Sequence, residues 1–189
     1  MSLFHRHQFD SMNDLFVDQL RDLYDAEKRQ CDTQVKLADK ADAPELAAMF
    51  RQQDSEARQQ LARLETAFRD LGLEPKAETC EAMKGLIKET EGVVGASGDP
   101  RVRDAALIAA AQRIKHYEIA GYGTARTFAE ELGHGEIATL LQQSLDEESK
   151  ADERFTDLAV QRINPRASDG EFPARGATYD TPQQPFRNS

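Results

Sequence analysis

Apolar residues recur at helical spacing along four long stretches of the chain, each bounded by residues that start or stop helices. The first stretch runs from Ser11 to about Ala38, with Leu15, Phe16, Leu20, Leu23, Tyr24, Glu27, Cys31 and Val35 on one stripe. Ser11 followed three residues later by Asp14 is an acidic variant of the capping box. Asp42, Ala43 and Pro44 form a short link in which Asp suits a cap and Pro a first turn. The second stripe is Leu46, Met49, Phe50, Gln53, Glu56, Gln60, Leu64, Ala67, Phe68 and Leu71, ended by Gly72 and Pro75. A long connection follows, predicted to hold a short helix from about Cys80 to Val93. Asp99 and Pro100 open the third long helix, which carries Val102, Ala106, Leu107, Ala110, Ile114, Tyr117, Glu118, Gly121, Ala125, Phe128 and Leu132. Gly133 and Gly135 turn into the fourth, with Ile137, Leu140, Leu141, Ser144, Leu145, Glu148, Ala151, Phe155 and Leu158 inside.

Connection lengths set the topology. Short links make antiparallel hairpins of helices one and two and of helices three and four, and the long link lets the second hairpin start at the far end. The predicted fold is therefore all-α, a ferritin-like four-helix bundle with a short extra helix in its crossover. Residues 1–10 are expected to be a flexible N-terminus and 11–162 the bundle. Residues 163–189 hold four of the seven prolines, with Asn164, Ser168, Gly170 and Gly176 among them, and are predicted to be a non-helical Pro/Gly-rich tail. Phe172, Tyr179 and Phe186 leave two readings of that tail, a loose surface segment or one pinned by its aromatics to a groove.

Charge narrows the function classes. Lys+Arg 24 against Asp+Glu 34 gives a net charge of -10, which argues against nucleic acid or an anionic membrane as partner. No stretch approaches the roughly 20 apolar residues of a membrane span, and Met1 to Asp10 holds no apolar run of a secretory signal. The expected location is the cytoplasm. Cys31 and Cys80 have no metal-ligand spacing and read as reduced, partly buried thiols, with one disulfide as the less favoured alternative. His5 and His7 near the terminus are not read as a site, and His134 between two glycines reads as a turn residue.

Glu27, Glu56, Glu118 and Glu148 fall where core residues belong, one on each long helix. A lone buried carboxylate costs several kcal/mol, so four near mid-bundle suggest a shared neutralisation by a proton, a cation or a metal. Di-metal carboxylate bundles place one Glu on each of two helices and Glu-x-x-His on the other two, and carboxylates suit iron or manganese. Here the residue three after Glu56 is Gln59 and that three after Glu148 is Ala151, so the nitrogen ligands are missing. Gln53, Gln60 and Asp152 offer further oxygens. His116 lies roughly 160° around the helix from Glu118 and is expected to face outward or into a subunit contact. Lys115, one turn before Glu118, either reaches the carboxylates and supplies the positive charge itself or lies solvated on the helix shoulder.

The run Asp104-Ala-Ala-Leu-Ile-Ala-Ala-Ala-Gln112, then His116-Tyr-Glu-Ile-Ala120 and Tyr122-Gly-Thr124, resembles the YciE/YciF family of bacterial ferritin-like stress proteins. Leu23-Tyr-Asp-Ala-Glu-Lys28, Cys80-Glu-Ala-Met-Lys-Gly-Leu86 and the segment from Leu141 to Ala159 support the resemblance. It implies a commonly dimeric bundle, induced under stress, able to hold a di-metal centre between its helices. Glu27, Glu56, Glu118, Glu148 and Asp152 match the family's acidic positions. Gln53 stands where the family commonly has His, and Lys115 where it has Glu.

Three functions compete. The favoured one is a ferritin-like stress protein without catalysis, its di-metal site degraded and its carboxylates closed by Lys115. The second is a di-iron or di-manganese protein with ferroxidase or peroxide-removing activity, using Glu27, Glu56, Glu118, Glu148, Asp152 and Gln53. The third is a structural module that assembles oligomers. A homo-oligomer, a dimer first, is the expected partner state, and no small-molecule substrate is indicated.

Overall fold

The computed structural model describes residues 8–169, which form helices α1 (Met12–Lys40), α2 (Pro44–Asp70), α3 (Glu81–Val94), α4 (Pro100–Glu131), α5 (Gly135–Leu158) and α6 (Asn164–Ser168). Helices α1 and α2 form one antiparallel hairpin and α4 and α5 the other. Phe16, Leu20, Leu23, Leu64, Phe68, Tyr122, Ala125, Ile137 and Leu141 cluster at one end of the bundle. Leu37, Leu46, Phe50, Leu107, Ile108, Ala111 and Phe155 cluster at the other. Since α2 finishes at the first end and α4 starts at the second, the link between them runs the length of the molecule. This is the ferritin-like four-helix bundle. Among the described residues no helix is long and apolar enough to cross a membrane.

The caps explain why the helices start where they do. Ser11 Oγ accepts the Asp14 N–H at 3.1 Å and donates to the Asp14 carboxylate at 2.8 Å, so the opening of α1 is the one expected. At α2 the expectation about Asp42 is corrected. The N-cap is Ala43, whose methyl side chain makes no cap hydrogen bond. The buried carboxylate of Asp104, on α4, accepts the Asp42 and Ala43 N–H groups at 2.9 and 2.8 Å instead. A cap borrowed from the other hairpin locks the two hairpins together at this end. Asp25 does the same for the crossover, accepting the Cys80 N–H at 2.9 Å where α3 begins.

Helix α3 lies against α1 and α4, with Met83, Cys80, Ala26 and Ile114 buried between them and Leu86, Ile87 and Tyr117 at the margin. Helices α1 and α4 meet so closely that a Cβ on Gly121 would come within 2.8 Å of Leu23 Cδ2. Both cysteines are buried free thiols, as expected. The expectation that helix ends before Ile163 is overturned. Helix α5 widens into a π-helical turn, Ala159–Ile163, and passes into α6. In that turn the Asn164 N–H reaches back to the Ala159 carbonyl. Pro165 then falls in the first turn of α6, where its missing N–H costs nothing. Buried Ile163 and an Arg166–Glu45 pair at 2.8 Å hold the extension to the bundle. His5, His7 and the tail aromatics Phe172, Tyr179 and Phe186 lie outside the described residues.

Candidate functional site: a buried polar layer

Between the two apolar ends the core changes character. Glu27, Gln30, Gln34, Gln53, Gln60, Lys115, Glu118, Ser144 and Glu148 are all buried at mid-bundle. They occupy the same positions that hold Leu and Phe elsewhere. Read at a strict heptad spacing, α1 buries residues 16, 20, 23, 27, 30, 34 and 37, and α4 buries 104, 108, 111, 115, 118, 122, 125 and 129. Helix α2 follows 46, 50, 53, 57, 60, 64 and 67, and α5 follows 137, 141, 144, 148, 151 and 155.

Lys115 is the hub. Its Nζ lies 2.6 Å from Glu148 Oε2 on α5 and 3.2 Å from Glu118 Oε2 on its own helix. Gln60 Nε2 donates to the other oxygen of Glu148 at 2.8 Å. Gln30 donates to Glu118 Oε2, and Gln34 donates in turn to Gln30 Oε1. Tyr122 donates its hydroxyl to Glu27 Oε1 at 2.6 Å. The layer thus joins all four long helices through polar contacts.

Burial pushes the Glu27 carboxyl up to about 8; the nearby Glu148 charge adds to this and Lys115 and the Tyr122 hydroxyl oppose it. Burial also raises Glu118 well above the usual carboxylate range, Lys115 opposing, with Glu148 and Glu27 adding to the rise. For Lys115, burial alone would favour the neutral amine, but Glu118, Glu148 and Glu27 outweigh it and hold the ammonium form. One ammonium paired with one carboxylate, beside two carboxyls driven toward their neutral form, nearly balances the charge of the layer.

The side walls are closed differently. On the α2/α5 seam Arg63 grips Glu147 with both guanidinium nitrogens, at 2.7 and 2.5 Å, and also donates to Ser144. On the α1/α4 seam α3 lays Met83, Leu86 and Ile87 over the groove.

Of the residues read as site candidates, Glu27, Glu118 and Glu148 come together and Lys115 joins them. Glu56 does not. It lies half-buried at the rim of the α2/α5 seam, held by Arg154 at 3.1 Å and by Gln53 at 2.5 Å, while Ala57 takes the interior position beside it. Asp152 faces the outer α4/α5 seam, where Gln112 donates to it at 3.0 Å and exposed His116 stands 3.5 Å away. Gln53 itself is buried, but its amide nitrogen points back to Glu56. Gln30 and Gln34 belong to the layer and were not singled out, because Cys31 and Val35 fit a 3.6-residue stripe equally well; Val35 proves exposed. The heptad series through Phe16, Leu20 and Leu23 would have picked them out.

This donor set does not fit a two-metal centre. An ammonium sits between Glu118 and Glu148, an amide donor occupies Glu118, and Glu56 and Asp152 stand on outer seams. Among the described residues no group of three or more His, Cys, Asp or Glu side chains is arranged to hold a metal ion.

Residues 11–168 match the family described as a domain of unknown function, DUF892. Over 158 residues the chain is 40% identical to the protein YciF of Escherichia coli (strain K12), covering 83% of this chain and 95% of that one. The chain belongs to the YciF-like DUF892 family. The crystal structure of the E. coli stress protein YciF superposes with a TM-score of 0.80 at 39% identity, over 82% of this chain and 99% of that one. YcfI from Rhodopseudomonas palustris, described as a candidate structural protein, gives 0.77 at 37% identity, over 81% and 98%. A protein from Xanthomonas campestris shares the fold alone, with a TM-score of 0.67 at 19% identity over 84% and 98% of the two chains.

Proposed function

We propose that the chain is a non-catalytic stress protein whose bundle serves as a structural unit, its interior carboxylates satisfied by Lys115 and by one another. The observation that carries this reading is the Lys115 ammonium lying 2.6 Å from Glu148 and 3.2 Å from Glu118 in a fully buried layer. An acid or base that works on a substrate must come within hydrogen-bond reach of it, and every charged group of this layer is buried and turned inward. The likeness to the E. coli stress protein supports a role under stress, and the likeness to the R. palustris protein supports a structural one. The chain is expected to work as an assembly of copies, and a reducing compartment suits its two free, buried thiols. Size measurement in solution checks the assembly.

The decisive test is chemical. Protein purified from its native host should carry no stoichiometric iron or manganese, and should neither speed the oxidation of Fe(II) by oxygen nor consume hydrogen peroxide beyond the buffer control. Two tightly held Fe or Mn ions per chain, with Fe(II) oxidation that depends on Glu148, would overturn the proposal in favour of the di-metal reading.

A further inference from the structure

We infer that Lys115 is a tethered cation standing in the position a divalent ion would take among Glu27, Glu118 and Glu148, so that shortening this one side chain turns the layer into a site for a hard divalent cation such as Mn2+. The inference deepens the reading of a closed layer and rests on it. Three observations lead here. The ammonium bridges carboxylates from two different helices, as an ion shared between α4 and α5 would. Glu27 Oε2 is buried with no hydrogen-bond partner, so one oxygen of the layer is already free to ligate a cation. The contacts of 2.6 and 3.2 Å are longer than the roughly 2.0–2.2 Å of a metal–carboxylate bond, yet a glutamate on three free torsions can close that difference.

Charge supplies the driving force. Without the ammonium, Glu148 faces Glu118 and Glu27 in a medium that penalises every unpaired charge. The layer must then take up protons, bind a cation or lose stability. Oxygen donors alone, with no imidazole or thiolate, select Mn2+ and Mg2+ over softer ions. The tether also explains how the parent excludes such ions: a divalent cation would have to displace an ammonium that cannot diffuse away.

The test is Mn2+ binding by equilibrium dialysis with elemental analysis, paired with thermal melts, on the parent, Lys115→Ala, Lys115→Met and Lys115→Ala/Glu148→Gln. The expected result is about one Mn2+ per chain in Lys115→Ala, held at least tenfold more tightly than by any surface carboxylates of the parent, with a melting temperature that rises with Mn2+ as linkage requires. Lys115→Met fills the space without the charge and should take up no more than the parent, and Glu148→Gln should abolish the gain. Uptake by Lys115→Ala no greater than the parent's overturns the inference, as does equal uptake by Lys115→Met. Should Lys115→Ala fail to fold alone, recovery of its helical signal in millimolar Mn2+ supports the inference, and failure to recover there overturns it. A parent that itself holds Mn2+ in the layer instead defeats the proposed function, so the two failures are separable.

Discussion

At the end of the bundle where α1 begins, the heptad positions of the four helices are filled by Phe16, Leu20, Leu23, Leu64, Ala67, Tyr122, Ala125, Ile137 and Leu141. At mid-bundle the same positions are Glu27, Gln30, Gln34, Gln53, Gln60, Lys115, Glu118, Ser144 and Glu148. Both regions are buried, and both hold four helices together. The apolar end does so by removing hydrocarbon from water, a contribution that is non-directional and indifferent to pH. The polar layer offers little net stability, because desolvation of its charges roughly cancels their attraction. Its expected contribution is register: of the two carboxylates that Lys115 touches only Glu148 lies on α5, and slipping α5 against α4 by a turn would strand it without a counter-charge. The ends make the bundle stable and the middle makes its alignment specific.

Two truncations test that division with the largest expected effects. Phe50→Ala should cost about 3–5 kcal/mol in urea unfolding, and the loss should be the same at pH 5 and pH 8. Lys115→Met should also cost about 3–5 kcal/mol near neutrality, by leaving Glu148 buried and unpaired. Its cost should shrink at pH 5, where the carboxyls can be protonated. Adding Glu148→Gln to Lys115→Met should recover at least half of it. A pH-independent loss, or no recovery in the double variant, would show that Lys115 acts as packing rather than as charge.

Asp104→Ala removes the cap that α4 lends to α2. Two backbone N–H groups would be left without their charged acceptor, at a cost of about 2–3 kcal/mol, and amide exchange at Asp42 and Ala43 should quicken more than elsewhere. The last prediction concerns Glu27 and is read from pH dependence alone. Its folded-state value is raised from 4.5 to about 8, so the folded chain binds the proton more tightly than the unfolded one. That contribution is fully present below about pH 4.5 and is lost as the pH rises through 8. Glu27→Gln imitates the protonated form. It should match the parent below about pH 4.5 and exceed it by a growing margin as the pH rises to about 9. Equal pH profiles of the two proteins would place the charge elsewhere in the layer.

The helices and their connections were legible in the sequence because breakers and caps mark them: Ser11 and Asp14, Pro44, Gly72 and Pro75, Asp99 and Pro100, Gly133. The short link at Pro44 and the long one before Pro100 carried the topology. Glu56 was misplaced because Glu56 and Ala57 both fall one turn after Gln53, and only Arg154 across the seam decides between them. A heptad reading through Leu46, Phe50 and Gln53 selects Ala57. Gln30 and Gln34 were hidden for a different reason, since a polar residue at a core position reads as a break in the stripe unless its partners are known. The partner of Gln30, Glu118, is 88 residues away, and Gln34 joins the layer only through Gln30. The side chain of Lys115 could be read as inside or outside until Glu148 was placed beside it. The helix past Ile163 was missed because Pro165 signals a stop. Only the widened turn at Ala159–Ile163 lets the chain accept it.

The central claim is that an ammonium, rather than a metal, closes the layer. Crystals of the parent chain grown with Mn2+ and measured at the manganese absorption edge test it most directly. The predicted result is no anomalous density among Glu27, Glu118 and Glu148, with Lys115 Nζ in hydrogen-bond contact with Glu148. A manganese peak between Glu118 and Glu148, with Lys115 swung out of the layer, would contradict it.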